Sequence, residues 1–359
     1  MTSNAEPGAE QGPARQRRGT GPLLEVADLT VRFGTEDGVV NAVRGVSYSL
    51  AEREVLGIVG ESGSGKSVSS LAVMGLLPRS ARVTGRILLE GEDILTMPAA
   101  QKRSLRGRRV AMIFQDPMTA LNPVYSIGDQ LAEAVRSHEA VSKRIATDRA
   151  LEMLDLVGIP RPKERLRAYP HEFSGGMRQR VMIAMAVINR PDVIIADEPT
   201  TALDVTVQAQ ILEKLIEVKD AVNAAIVLIT HDLGVVAGMA NRVLVMYAGR
   251  PVELGETAQV FERPRMPYTA GLIGSIPSLD AAGSRLRPIP GAPPSLINLP
   301  PGCPFSPRCP LVQDRCLTEE PALTETDQRG HTAACHFWPT LSDLPDPTSL
   351  FRAQAVQAL

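Results

Sequence analysis

The sequence has no long apolar run, almost no net charge and few cysteines. Its hydrophobic stretches are short and broken by charged residues, and none approaches the roughly 20 residues that span a bilayer. We therefore expect the chain to reach a membrane only through a partner. The 38 basic and 40 acidic side chains leave a formal net charge of −2, which excludes a global basic field for nucleic acid but not a local patch.

Residues 1–20 lack the apolar segment that a signal peptide needs. They are rich in Gly, Pro, Ala, Glu and Arg, a composition typical of a disordered tail. Without a signal we expect the chain in the cytosol, where structural disulfides are rare. The four cysteines all lie in the last sixth of the chain, whereas a disulfide scaffold would spread them.

The remaining chain divides by its pattern of apolar residues. From about Leu23 to Gly255, short β-rich runs alternate with helical stretches, which predicts an α/β core whose strands are buried on both faces of a mostly parallel sheet. The predicted strands include residues 55–59, 110–114, 193–196 and 226–229, and the predicted helices include residues 65–77, 177–189 and 205–223. A mainly helical insertion is predicted between Ile127 and Arg167, and a proline-dense, loop-rich extension beyond Arg263.

A glycine-rich loop follows the first of these predicted strands. It fits G-x-x-x-x-G-K-[ST] with Gly60, Glu61, Ser62, Gly63, Ser64, Gly65, Lys66 and Ser67. Backbone N–H groups of such a loop can point at the α- and β-phosphates of a nucleotide, helped by the following helix dipole. Lys66 would serve the β- and γ-phosphates, and the Ser67 hydroxyl could bind Mg²⁺. The alternative is a plain strand-to-helix turn with an incidental lysine.

Two carboxylates, Asp197 and Glu198, follow another apolar strand. The carboxyl ends of strands in α/β folds face bound ligands. Asp197 is the natural Mg²⁺ partner, which we expect to act through a water, and Glu198 could orient and deprotonate an attacking water as general base. Alone, the pair could be a solvated strand end, but beside a phosphate loop it favours nucleotide hydrolysis.

Ser174, Gly175 and Gly176 precede a predicted helix. Ser174 can cap that helix, and the glycines expose backbone N–H groups, which makes a second anion-binding helix terminus. A plain capped helix is the alternative. A chain with one phosphate loop needs a second such terminus only if it meets a second nucleotide.

Six motifs thus follow one another in a fixed order along the chain. They are the phosphate loop, Gln115 after a strand, the Ser-Gly-Gly motif, the Asp-Glu strand, Ala202-Leu203-Asp204, and His231 after another strand. This order, from about Leu23 to Leu254, resembles the nucleotide-binding subunit of an ATP-binding cassette (ABC) transporter.

The resemblance implies a P-loop NTPase fold of the ABC ATPase type, with a mixed, mostly parallel sheet, an antiparallel β subdomain and a helical insertion. It implies these boundaries: a disordered tail at 1–20, an ATPase domain at 21–262 with a helical subdomain at about 118–178, an extension at 263–340, and a C-terminal tail at 341–359.

The resemblance also implies residue roles within a head-to-tail dimer that holds two ATP molecules. The Ser-Gly-Gly motif of one subunit would touch the γ-phosphate bound by the other. Gln115 would sense Mg²⁺ and the attacking water, and His231 would hold the γ-phosphate. Asp204 would lie at the dimer seam, and Phe33 would stack on adenine. One departure is Met177, which stands where the family commonly has Gln after Ser-Gly-Gly.

Further segments resemble the oligopeptide/dipeptide permease ATPases. They are residues 115–123, 169–180, 263–264, 267–269, 302–305 and 308–310. The resemblance implies ATP-driven uptake of di- and oligopeptides at the cytoplasmic face of the membrane. The implied partners are two transmembrane permease subunits, a second ATPase that is a paralogue in a heterodimer, and, indirectly, an extracytoplasmic peptide-binding protein. No nucleic acid partner is expected.

Two other functions stay open. One is import of nickel or another solute, because the peptide assignment comes from resemblance alone. The other, less favoured, is a soluble ABC ATPase acting on DNA or ribosomes. This second function is less favoured because the segment between Ser67 and Ser174 holds only a short helical insertion, and because the chain has one phosphate loop.

The four cysteines, Cys303, Cys309, Cys316 and Cys335, have the spacing C-x5-C-x6-C-x18-C. Thiolates gathered in a proline-rich segment suggest a soft metal that would give the loop a fixed shape. Structural zinc usually shows a tighter pair, whereas iron–sulfur clusters accept looser spacing. The resemblance implies a 4Fe–4S cluster; zinc and free thiols are the alternatives. His331 and His336 are spare ligand candidates that we expect to be solvated, and no motif places the cysteines near the phosphates.

Overall fold

A computed structural model describes residues 21–116, 120–201, 203–276 and 289–351. Several predictions fall outside the described residues. These are the N-terminal tail at 1–20, residues 117–119 of the segment after Gln115, Ala202, and the last part of the C-terminal tail at 352–359.

The strands of the described chain are β1 (Leu24–Thr35), β2 (Gly38–Leu50), β3 (Val55–Val59), β4 (Ala81–Leu89), β5 (Glu92–Asp93), β6 (Val110–Ile113), β7 (Val193–Asp197), β8 (Ala225–Ile229), β9 (Arg242–Tyr247), β10 (Arg250–Glu256), β11 (Thr324–Glu325) and β12 (Thr332–Ala333).

Its α-helices are α1 (Lys66–Val73), α2 (Ala99–Leu105), α3 (Ile127–Arg136), α4 (Lys143–Leu156), α5 (Pro162–Arg165), α6 (Gly175–Val187), α7 (Val205–Val222), α8 (Leu233–Met239), α9 (Thr257–Glu262), α10 (Pro267–Gly274), α11 (Asp314–Thr318) and α12 (Trp338–Ser342). Short 3₁₀ turns lie at Pro170–Glu172, Ser306–Arg308 and Pro347–Phe351. No helix of the described chain combines the length and the apolarity needed to cross a membrane.

The strands form two sheets. The smaller is antiparallel, with the order β2-β1-β4-β5. The larger has the order β11-β12-β10-β9-β3-β8-β7-β6, and its strands from β9 to β6 are parallel. Every residue of β3, β6, β7 and β8 is buried, as expected for strands covered on both faces. The predicted α/β core and its antiparallel subdomain are confirmed.

Helices α3, α4 and α5 form the predicted helical insertion and pack with α6 on one face of the larger sheet. Two helix ends differ from the sequence prediction. Helix α1 ends at Val73 rather than near position 77, because Gly75 takes a φ of 60° just beyond it, a common way for a helix to stop. Helix α6 begins earlier than predicted because Ser174 caps it.

The extension is more regular than predicted. Strand β12 pairs with β10, so the extension adds β12 and β11 to the edge of the larger sheet, which covers an otherwise open strand edge. Aromatic side chains of the extension also share an apolar cluster with the ATPase core, around Tyr247, Tyr268 and Phe305. The extension is therefore packed onto the sheet rather than being a loose tail.

Candidate functional site

Four of the predicted motifs follow the carboxyl ends of four adjacent parallel strands. Strand β3 leads into the phosphate loop, β8 to His231, β7 to Glu198, and β6 to Gln115. Because parallel strands present their carboxyl ends at one edge of a sheet, residues distant in sequence meet there.

The phosphate loop depends on glycine at two positions. Gly60 has a φ of 150° and Gly65 a φ of 97°, conformations that residues with a Cβ rarely adopt. A Cβ at Gly60 would clash with the backbone oxygen of Met246, and one at Gly65 with that of Ala42. The loop thus lies directly against the neighbouring backbone.

Lys66 begins helix α1 and is buried beneath the loop. Its Nζ donates hydrogen bonds to the backbone oxygens of Gly60 at 2.7 Å and Glu61 at 3.0 Å. Burial lowers the pKa of Lys66, while the carboxylates of Glu198, Asp197 and Glu61 oppose that shift. The ammonium is therefore held at the loop, where the sequence motif predicts that the β- and γ-phosphates bind.

Ser67 and Asp197 form the candidate Mg²⁺ site. The Ser67 hydroxyl donates to Asp197 Oδ1 at 2.9 Å. Burial is the main reason that the pKa of Asp197 is raised, with a smaller contribution from Glu198. A hydroxyl and a partly dehydrated carboxylate side by side are hard oxygen ligands, so these residues fit Mg²⁺.

The carboxylate of Glu198 lies close to two other predicted catalytic side chains. It has a φ of 48°, and its N–H donates to Ile229 O at 2.8 Å. Its Oε2 accepts from Gln115 Nε2 at 3.0 Å and from Thr201 Oγ1 at 2.9 Å, and lies 3.5 Å from His231 Nδ1. The structure thus brings Gln115, Glu198 and His231 together. Sequence analysis missed Thr201, although a hydroxyl three residues after Glu198 was available as a local signal.

The motifs assigned to the dimer seam lie together. Ser174 caps α6 by accepting from Met177 N, and Asp204 caps α7 by accepting from Val207 N at 3.0 Å. A Cβ at Gly176 would meet the Val207 side chain, so the two helix starts touch. Their contact with a second nucleotide stays a prediction.

Phe33 lies in β1 and is half-buried against the apolar core. Part of its ring is therefore accessible, and stacking on adenine also stays a prediction.

The extension reaches the phosphate loop, contrary to the expectation from sequence. Arg308, one residue before Cys309, forms an ion pair with Glu61. The cysteine-bearing segment is therefore in direct contact with the nucleotide-binding loop. No sequence motif signalled this contact, because Glu61 and Arg308 are 247 positions apart.

The four cysteines converge. They are free thiols and line one small cavity together with residues such as Met266 and Phe305. Burial raises the pKa of Cys309 and of Cys335 to about 12 each. Within the described ranges, no group of three or more His, Cys, Asp or Glu side chains is arranged to hold a metal ion. The four thiols thus share a cavity, and a metal or cluster at this site stays a prediction.

Of the two nearby histidines, which were both expected to be solvated, His331 differs and His336 is partly exposed. His331 is fully buried, and its Nε2 lies 2.8 Å from Glu253 Oε1. His336 lines the cysteine cavity, but its Nε2 lies 3.0 Å from the backbone oxygen of Glu319. His331 was misjudged because its buried partner belongs to β10, far away in sequence.

Comparison with protein families gives two matches. Residues 43–201 match the family described as ABC transporter. Residues 252–316 match the family described as oligopeptide/dipeptide transporter, C-terminal region.

Curated relatives are similar over most of the chain. The oligopeptide transport ATP-binding protein OppD of Mycobacterium tuberculosis is 57% identical over 316 residues, which are 88% of this chain and 52% of the relative. The dipeptide transport ATP-binding protein DppD of Bacillus subtilis is 54% identical over 315 residues, 87% of this chain and 94% of the relative. The chain thus spans about half the length of the mycobacterial relatives and nearly all of the Bacillus one.

Solved structures share the fold. A dimeric structure of the ATP-binding cassette MJ0796, bound to ADP and Pi, has a TM-score of 0.58 and 24% identity, covering 65% of this chain and 98% of that one. The cbiO1 structure from Clostridium perfringens, part of the ABC transporter complex cbiONQ, has a TM-score of 0.58 and 26% identity, covering 70% and 95%.

The sheet that carries the phosphate loop and the match to the ABC transporter family define an ATP-binding cassette with a P-loop. Both family matches and the curated relatives then narrow this class to ATPases of peptide transporters. The chain belongs to the oligopeptide and dipeptide transport ATP-binding proteins of the ABC transporter family. The resemblance drawn from the sequence is confirmed.

Proposed function

We propose that the chain hydrolyses ATP to drive the uptake of di- and oligopeptides through partner membrane subunits. The observation that carries the ATPase assignment is the meeting of Glu198, Gln115 and His231 beside the Ser67–Asp197 pair. The relatives are named as oligopeptide and dipeptide transport ATP-binding proteins, which supports the peptide substrate.

The proposed chemistry uses the residues of the sheet edge. The backbone N–H groups of the loop and Lys66 bind the β- and γ-phosphates. Ser67 and Asp197 hold Mg²⁺, which when bound neutralises phosphate charge and orients the oxygens. Glu198 orients a water and accepts its proton. Gln115 and His231, both close to the Glu198 carboxylate, hold the water and the γ-phosphate in line.

A second cassette completes the proposed site. The Ser-Gly-Gly motif of that cassette would bind the γ-phosphate held here, and closure is driven by contacts that exist only in the ATP state. Support comes from Val205, next to Asp204 at the start of α7, whose side chain is 82% exposed. In the proposed dimer, the partner cassette would cover this side chain. We propose a paralogous cassette as this partner.

The proposed complex also contains two permease subunits, with this chain bound at their cytoplasmic face and a peptide-binding protein on the far side. Closure would move helices of the permeases through the groove beside Gln115 and the helical insertion. Phe114, directly before Gln115, and Tyr125, two residues before helix α3 of the insertion, are exposed, which supports a docking role.

Reconstitution tests this function. The tagged chain, recovered from detergent-solubilised membranes of its host, should carry two transmembrane subunits and a second cassette. In proteoliposomes, that complex should couple ATP hydrolysis to the uptake of a labelled tripeptide. Uptake of nickel instead would favour the alternative importer, and recovery without membrane subunits would contradict the proposal.

We further propose that the four cysteines hold a 4Fe–4S cluster. The convergence of the four thiols on one cavity, and the loose spacing that iron–sulfur sites accept, support this proposal. Such a cluster would cross-link a segment with little apolar core of its own. Anaerobically purified protein should contain about four irons per chain and show broad visible absorbance. Cys309→Ser should lower both, whereas zinc or metal-free protein would refute the cluster.

A further inference from the structure

The contact between Arg308 and Glu61 joins the cysteine segment to the phosphate loop. Arg308 Nη1 donates to Glu61 Oε2 at 2.6 Å, and Nη2 donates to Oε1 at 2.8 Å. This is a two-pronged pair, the strongest geometry for an arginine and a carboxylate. The side chain of Arg308 is 4% exposed and that of Glu61 is 26% exposed, so solvent screens the pair less than a pair on the open surface.

The extension fixes the guanidinium from several sides. Nε donates to the backbone oxygen of Pro290 at 3.0 Å, and Nη2 also donates to that of Ile289 at 3.3 Å. The group lies over the rings of Tyr247 and Phe305, with centroids 5.9 and 5.8 Å away. A guanidinium held this firmly can set the position of Glu61 rather than follow it.

Glu61 connects this arginine to the catalytic lysine. Its N–H donates to Tyr268 Oη at 2.8 Å, and its backbone oxygen accepts from Lys66 Nζ at 3.0 Å. Glu61 thus contacts Arg308 and Tyr268 of the extension as well as Lys66. The two contacts from the extension therefore help to determine where the loop presents the ammonium of Lys66.

The charge of Glu61 makes the pair important for binding. A carboxylate in a loop that receives a triphosphate repels the ligand. It also attracts Lys66, for which Glu61 is one of the charges that support the ammonium. Arg308 compensates that charge and binds both carboxylate oxygens.

We propose that Arg308 is a positioning residue for nucleotide binding: by fixing and neutralising Glu61, it allows the cysteine-bearing segment to set the affinity of the phosphate loop for ATP. The inference rests on the proposed function, because it requires ATP to bind at this loop. It goes further, since it makes the extension a determinant of that binding.

Four variants of the full chain test it: Arg308→Ala, Arg308→Lys, Glu61→Gln and the double variant Glu61→Gln/Arg308→Ala. The readout is the dissociation constant for a fluorescent ATP analogue with Mg²⁺, together with the thermal midpoint. Arg308→Ala should weaken binding about tenfold, as expected for one uncompensated charge near a triphosphate. Arg308→Lys, which keeps the charge but not the fork, should lose less.

The double variant separates charge from packing. Removing the Glu61 charge should restore most of the affinity lost in Arg308→Ala, although the packing around position 308 stays disrupted. The loss in Arg308→Ala should also shrink when salt is raised from about 50 to about 500 mM.

Arg265→Ala is the matched control. Arg265 is likewise 4% exposed, pairs with Asp327 through two hydrogen bonds, and lies over the Trp338 ring at 5.7 Å, but it contacts no residue of the phosphate loop. Because the Arg265–Asp327 pair is of the same kind, Arg265→Ala should lower the thermal midpoint. Because this pair does not involve Glu61, the affinity for ATP should stay within about twofold.

Several results would overturn the inference. These are unchanged affinity in Arg308→Ala, no recovery in the double variant, or an equal loss in Arg265→Ala. If Arg308→Ala does not fold, Arg308→Met, which keeps much of the side-chain length without the charge, replaces it, and unchanged affinity in that variant has the same meaning. Unmodified protein that fails to bind the ATP analogue would instead refute the proposed function, and this inference with it.

Discussion

Glu198→Gln replaces one carboxylate oxygen with an amide nitrogen and leaves the size of the side chain almost unchanged. Both hydrogen bonds to this carboxylate, from Gln115 and Thr201, arrive at Oε2, so the amide oxygen of glutamine can keep them. The atom lost is the other oxygen, Oε1, which has no hydrogen-bond partner among the described residues and is the one open to accept a proton from water. Nucleotide binding should therefore survive while the base is removed.

The size of the effect follows from the role. A positioned general base contributes about 10² to 10⁴ in rate, which equals about 3 to 5 kcal/mol of activation free energy. We expect ATP turnover to fall by that factor, while the affinity for ATP stays within about threefold, because the loop and Lys66 are untouched. The variant should accumulate as a closed, ATP-filled dimer.

Phosphate release, fluorescent-nucleotide binding and size-exclusion chromatography with ATP measure these three quantities. Glu213→Gln is the control, because Glu213 is an exposed carboxylate on α7. A Glu198→Gln protein that hydrolyses ATP at the parent rate would show that Glu198 is not the base. A parallel loss of affinity would mean that the side chain positions the nucleotide instead.

Three further outcomes are expected. Lys66→Ala should weaken ATP binding at least about tenfold, because it removes hydrogen bonds from a buried ammonium; unchanged binding in a fluorescence titration would contradict this. Asp197→Asn should raise the thermal midpoint of nucleotide-free protein at neutral pH, because a pKa raised by folding means that the ionised Asp197 destabilises the folded state. The same variant should abolish stabilisation of the protein by Mg²⁺. The difference between Asp197→Asn and unmodified protein should shrink as the pH falls toward about 4, the ordinary carboxyl value. Gly65→Ala should cost about 2 kcal/mol in urea unfolding from its φ of 97° and its clash with Ala42, whereas Gly34→Ala, in open space, should cost much less.

Much of the candidate site was predictable from local sequence. The phosphate loop, the Asp-Glu pair and His231 each follow a buried apolar run. Because the carboxyl ends of parallel strands share one edge, such runs indicate which residues will meet. Gln115 Nε2 and Glu198 Oε2 accordingly lie 3.0 Å apart, although 83 positions separate the two residues.

The features that sequence analysis missed are contacts between distant segments. Thr201 is the exception, a local partner of Glu198 that was overlooked. The burial of His331 depends on Glu253 in a strand of the core. The register that joins β12 to β10 puts these two residues together, and no periodicity in either segment specifies it.

The amino-acid sequence by itself determined the α/β class, the loop that can receive phosphates and the residues able to activate water, because each depends on a short motif beside a buried strand. Only the tertiary structure decided that the cysteine segment folds back onto the larger sheet and pairs Arg308 with Glu61. The physical reason is that an ion pair across 247 positions depends on how two separately folded segments pack. Neither segment alone contains the information for that packing.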